Sequence, residues 1–248
     1  MVSFKNLYKD KANVAYIVMG YPNLELCEEF LNRLDESDID IVEIGIPYSD
    51  PISDGKIISE AALKALQNGA DIEKVFESLT RVKTKKTLTF LVYYNLIFSY
   101  GIKKFVSRAK EVGIKGLIVP ELIYEENEIL FKECKKEGIA LIALVSLTTP
   151  KARIKKIISR ASGFVYAIAS IGITGGKKAE LQSLKTLVEN IKEISDLPVF
   201  VGFGIKNAKD VKDVKKICDG AIVGTQIVKS FENGNIDEIL TKSKELFS

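Results

Sequence analysis

The chain has 248 residues, 46% of them hydrophobic, and 36 basic against 33 acidic side chains give a net charge of +3. That length and apolar content can bury the core of one domain spanning residues 1–248, and the scattered charges offer no basic surface for nucleic acid or an anionic membrane. Histidine is absent, which removes imidazole as base or metal ligand and leaves acid–base chemistry to carboxylates, Lys, Tyr or Cys.

The first apolar, β-branched run, residues 13–19, reads as a strand with Tyr16 late in it, and is too short for a signal peptide or membrane span. Helical spacing follows over 24–34. The second run, 39–45, holds a carboxylate: a period of two puts Ile39, Ile41 and Glu43 on one side and Val42 and Ile44 on the other. A lumen-facing Glu43 among aliphatic side chains would be desolvated, raising its pKa from about 4.3 toward the range of a general acid or base. A structural Glu held by a lysine or by backbone donors is the alternative. In the Pro- and Gly-bounded loop that follows, Asp54 lies eleven residues beyond Glu43. Two carboxylates in unlike environments can divide acid and base roles, although Asp54-Gly55 also reads as a plain turn.

Helical spacing over 58–67 leads to a third strand, 87–93, with Leu91 and Tyr93 on one side. Strands at 115–119, 139–145, 163–169 (with Tyr166), 197–202 and 219–224 then alternate with helical stretches at 102–112, 125–136, 154–159, 181–194 and 208–217, and 236–247 closes the chain. Eight such units predict an α/β fold, a closed (β/α)₈ barrel of the TIM type, with an open doubly wound sheet as the alternative. Pro22, Pro47, Pro51, Pro120 and Pro150 all fall at the carboxyl ends of strands, the rim where such barrels build their sites. Glycines follow strands six to eight: Gly172-Ile173-Thr174-Gly175-Gly176, Gly202-Phe203-Gly204 and Gly224-Thr225. Such loops let backbone N–H groups curl around an anion, so a phosphate ester is expected there. Cys27, Cys134 and Cys218 lack metal-ligand spacing and read as reduced thiols of a cytoplasmic protein.

Taken in order, Val42–Gly55, Tyr93-Tyr94-Asn95, Tyr166 and the three glycine loops resemble the tryptophan synthase alpha subunit family over nearly the whole chain. The resemblance implies a lyase of tryptophan biosynthesis that cleaves indole-3-glycerol phosphate to indole and glyceraldehyde 3-phosphate. By the same resemblance Glu43 is the acid–base residue and Asp54 stabilises positive charge at the indole nitrogen. Tyr166 then lies near the glycerol part, and Tyr16, Leu91 and Tyr93 wall the indole. Thr174, Gly175, Gly204, Gly224 and Thr225 hold the phosphate. No cofactor is implied in this chain; the partner is a pyridoxal-phosphate beta subunit in an alpha2beta2 heterotetramer, met by loops that contain Pro47, Asp50 and Asn95. This sequence departs from the family pattern at Ser53, Tyr21, Glu121, Ile123 and Ser170, all in rim loops, which bears on loop closure. The alternatives are another phosphate-handling barrel, for which the lack of histidine disfavours isomerase and metal-dependent epimerase chemistry, and an idle barrel kept as an activating partner.

Overall fold

The computed structural model describes residues 2–168, 176–202 and 204–248. Short β-branched runs form eight parallel strands in sequence order: β1 (Ala12–Val18), β2 (Ile41–Gly45), β3 (Thr87–Leu91), β4 (Ile114–Ile118), β5 (Ala140–Ser146), β6 (Val165–Ile168), β7 (Val199–Gly202) and β8 (Gly220–Val223). β8 pairs back onto β1, with Val14 opposite Ile222, so the sheet is a closed barrel and the open alternative is excluded. The helices are α1 (Leu24–Asn32), α2 (Lys56–Gln67), α3 (Ile72–Thr80), α4 (Tyr94–Tyr100), α5 (Ile102–Glu111), α6 (Glu128–Glu137), α7 (Lys151–Ile158), α8 (Gly176–Lys192), α9 (Ala208–Lys215), α10 (Thr225–Ser230) and α11 (Ile236–Phe247). None is long and apolar enough to cross a membrane among the described residues.

Strand alternation separates two layers of core. Val14, Ile41, Ile118, Ile142, Phe200 and Ile222 fill the lumen, while Val42, Ile44, Phe90, Leu117 and Val201 face the helices. The amino-terminal end of the lumen is plugged by Phe4, which is 1% exposed and lies against Phe164 at 5.9 Å between ring centroids. Its backbone is fixed there, since Phe4 N donates to Gly163 O and Gly163 N donates to Val2 O. Apolar filling below leaves the carboxyl-end mouth as the space where side chains can meet a ligand.

Two expectations need correction. Ile39 does not share the lumen side with Ile41 and Glu43, because β2 begins only at Ile41; Ile39 precedes the strand and packs with the outer core. The segments between β2 and β3 and between β3 and β4 also hold one more helix each than the spacing indicated. α3 starts at Asp71, whose side chain accepts from Lys74 N, and buries Val75, Phe76 and Leu79. α4 begins directly after Tyr93 and stops at Gly101, whose φ of 91° suits a residue without Cβ.

Candidate active site

Glu43 sits third in β2, with Tyr16 of β1 on one side and Thr89 of β3 on the other in the strand register. It is fully buried, and neither carboxyl oxygen has a hydrogen-bond partner among the described residues. Burial alone raises its pKa from 4.5 to about 8. An ionised carboxylate in such a place would carry an uncompensated desolvation penalty, so the group holds its proton at neutral pH.

Asp54 comes from the β2–α2 loop and is partly buried. Burial raises its pKa, and the hydrogen bond from the Tyr93 hydroxyl, 3.1 Å to Oδ2, works in the opposite direction. Of the two acids, Glu43 therefore stands without a donor while Asp54 has one. Tyr16 and Tyr166 have their pKa values raised well above the ordinary 10, by burial first and then by Asp54 and Glu43. Both phenols remain neutral.

Two glycines make room for these rings. A Cβ on Gly45 would stand 2.2 Å from the Tyr16 hydroxyl, and one on Gly202 would stand 2.6 Å from the Tyr166 hydroxyl. Each tyrosine thus lies across the end of the neighbouring strand, and only a missing side chain there permits it.

A cavity of about 520 Å³ opens at this rim, within the range of small-molecule sites. Its walls include Glu43, Asp54, Tyr16, Leu91 and Tyr166, together with Gly204, Gly224 and Thr225. Gly224 immediately precedes the first turn of α10. Thr174 and Gly175, with Gly172, Ile173, Phe203 and Ser170, lie outside the described residues. Tyr93 is placed differently from expectation: it follows the end of β3 and leads into α4, so strand alternation no longer governs it. Its ring stacks on Tyr48 at 5.0 Å and its hydroxyl holds Asp54 from behind the cavity wall.

Sequence reasoning missed several lining residues. Leu144 and Ile222 follow from strand parity, being two residues beyond Ile142 in β5 and two before Gly224. Ile58 and Gln226 come from helix first turns, Lys206 from the loop after β7 and Lys229 from the last turn of the short α10, where no periodic signal marks them. Neither lysine makes an ion pair among the described residues.

The comparisons with known proteins decide the family. The model of the tryptophan synthase alpha chain family matches residues 4–247. The chain belongs to that family. A tryptophan synthase alpha chain of Campylobacter jejuni is 58% identical over 247 residues, covering 100% of this chain and 99% of its own. That of Methanocaldococcus jannaschii is 44% identical over 92% of this chain and 82% of its own. Among solved structures, the tryptophan synthase subunit alpha from Campylobacter jejuni superposes with a TM-score of 0.95 at 58% identity and full coverage of both chains. A tryptophan synthase complex from Pyrococcus furiosus does so with a TM-score of 0.85 at 30% identity, over 96% of this chain and 98% of that one. The chain is accordingly a lyase of tryptophan biosynthesis whose reaction is retro-aldol cleavage of indole-3-glycerol phosphate to indole and glyceraldehyde 3-phosphate.

Proposed function

We propose that Glu43 is the proton donor and acceptor of this cleavage and that Asp54 is its electrostatic partner. The observation that carries the reading is Glu43 itself: a buried carboxyl whose oxygens have no hydrogen-bond partner among the described residues, walling the same cavity as Asp54 and the late glycines. Neutral Glu43 donates its proton to indole C3, and positive charge develops at the ring nitrogen, where ionised Asp54 stabilises it. The Glu43 carboxylate then takes the proton of the glycerol hydroxyl as the C3–C3′ bond breaks. The bond's electron pair returns to the ring and the carbinol carbon becomes the aldehyde. Glu43 ends the cycle protonated, as it began.

The ring is accommodated by Tyr16, Leu91, Ile58 and Leu144, and Tyr166 lies toward the glycerol part. The phosphate belongs on backbone donors of Gly204, Gly224 and Thr225 with Lys206 and Lys229 beside them, a role that the family resemblance extends to Thr174 and Gly175. These steps need no cofactor in this chain. The whole chain, 1–248, acts as one catalytic domain in the cytoplasm.

The partner is a beta subunit carrying pyridoxal phosphate, in an alpha2beta2 assembly that consumes the indole. Support comes from the surface beside Asp54: Ile52 is 76% exposed, Phe98 is 66% exposed, and Asn95 Nδ2 donates to the Tyr48 hydroxyl at 3.2 Å. Pro47 and Asp50 lie in the β2–α2 loop, while Asn95, expected in a loop, lies in the first turn of α4.

The test is indole release from indole-3-glycerol phosphate. Glu43→Gln, nearly isosteric but unable to exchange the proton, is expected to lower kcat by about 10³-fold or more, and near-parental turnover would refute the assignment. Asp54→Asn is expected to cost about 10²-fold, with parental activity removing Asp54 from the mechanism.

A further inference from the structure

The β2–α2 loop is tied to the barrel through one phenol. The Tyr93 hydroxyl receives the backbone N–H of Ser53 at 3.2 Å, lies 2.9 Å from Ser53 Oγ, and lies 3.1 Å from Asp54 Oδ2. A phenol has one proton and accepts through its oxygen lone pairs. An ionised Asp54 brings no proton, so Tyr93 donates to Asp54. With that proton committed, the contact to Ser53 Oγ has one sense: the serine hydroxyl donates to Tyr93. All hydrogen-bonding capacity of the phenol is then used, and the chain runs in one direction, from Ser53 through Tyr93 to Asp54.

The Tyr93 ring is itself fixed. It is 3% exposed, stacks on Tyr48 with an interplanar angle of 28°, and occupies the residue before α4. At the next residue, Tyr94 N donates to Glu121 Oε1 in the loop after β4. The phenol is therefore a rigid post, and the exposed Ser53 and the half-buried Asp54, adjacent in the β2–α2 loop, are the two points at which the loop grips it.

We infer that Ser53 is a positioning residue for the cleavage, its hydroxyl orienting the Tyr93 proton toward Asp54 and so holding the Asp54 side chain aimed at the indole nitrogen. This rests on the role of Asp54 given above. Removing the Ser53 hydroxyl leaves the backbone N–H contact and the Tyr93–Asp54 bond in place, but frees the phenol proton to rotate and weakens the donation that stabilises the carboxylate. The loss appears in the charge-developing step, in kcat rather than in KM, because Ser53 lines the cavity but is neither one of the residues assigned to the ring nor one assigned to the phosphate.

The experiment is a double-mutant cycle on the full chain, read by indole release from indole-3-glycerol phosphate. Ser53→Ala is expected to lower kcat by about 3- to 10-fold, the scale of one net hydrogen bond, with KM unchanged within about twofold. Ser53→Thr, which keeps a hydroxyl, is expected to retain parental kcat within about twofold. In the Asp54→Asn background, Ser53→Ala is expected to cost nothing further, since the group through which it acts is gone. Where that background is too slow to resolve, Tyr93→Phe removes the same link and serves instead. An equal loss from Ser53→Ala in both backgrounds, no loss in the parent, or failure of Ser53→Thr to restore kcat would overturn the positioning role while leaving Asp54 catalytic. Parental kcat in Asp54→Asn alone would overturn both readings.

Discussion

At the residue scale, the unusual feature is an acid kept protonated by its surroundings alone. Glu43 has no cation and no donor to stabilise a negative charge among the described residues, and burial moves it from 4.5 to about 8. The sign of its effect on stability follows. Below about 4.5 the group is protonated in folded and unfolded chains alike, and it contributes no pH dependence there. Between 4.5 and 8 the unfolded chain releases the proton and the folded chain keeps it, so stability falls as pH rises across that window. Glu43→Gln removes the ionisation, and its melting temperature relative to the parent is expected to improve from pH 5 to pH 8; a gap that stays constant between those two melts would mean that Glu43 ionises normally when folded. The burial of this residue and the upward push on its pKa were legible in the sequence, because a carboxylate inside a β-branched run is costly to bury in its charged form. The donor on Asp54 was not, since it comes from a residue 39 positions away whose direction is set by α4 and not by β3.

At the element scale, strand ends set the shape of the site. Gly45 and Gly202 end β2 and β7, and neither has a positive φ among the described glycines; they are bare because Tyr16 and Tyr166 occupy the space a Cβ would fill. Gly202→Ala is expected to cost about 1–3 kcal/mol of stability by overpacking and to raise KM by displacing the Tyr166 ring, as checked by denaturant melts and steady-state kinetics. Gly45→Ala would not be rescued by Tyr16→Phe, because the Tyr16 ring carbons Cζ and Cε2 also stand 2.7 and 2.9 Å from the added atom. The strands themselves were legible almost to their ends, as the apolar runs are continuous and β-branched. α3 and α4 were not: each shares a strand-to-strand segment with a second helix, and their starts depend on a cap and on contacts from other elements.

At the scale of the whole molecule, the barrel separates stability from chemistry along its axis. The amino-terminal end is packed by Phe4, Phe164 and Phe200, with the last two rings 4.4 Å apart at their centroids, and Glu43 and Asp54 lie at the other end. Phe4→Ala is expected to lower stability by about 3–5 kcal/mol while leaving KM for indole-3-glycerol phosphate unchanged at temperatures where the chain remains folded, measured by chemical denaturation and kinetics on one preparation. Closure of the barrel brings Glu43 of β2 together with the glycines after β7 and β8, which lie some 160 residues later in the chain. Alternation along the sequence predicts that meeting; the lysines that join it at the rim are fixed only by the three-dimensional path of the loops. The central claim, that Glu43 is a neutral acid at working pH, is tested most directly by infrared difference spectra of the parent against Glu43→Gln across a pH series. A protonated-carboxyl stretch that persists at pH 7 and titrates away near pH 8 is predicted; a carboxylate already ionised at pH 6 would contradict it.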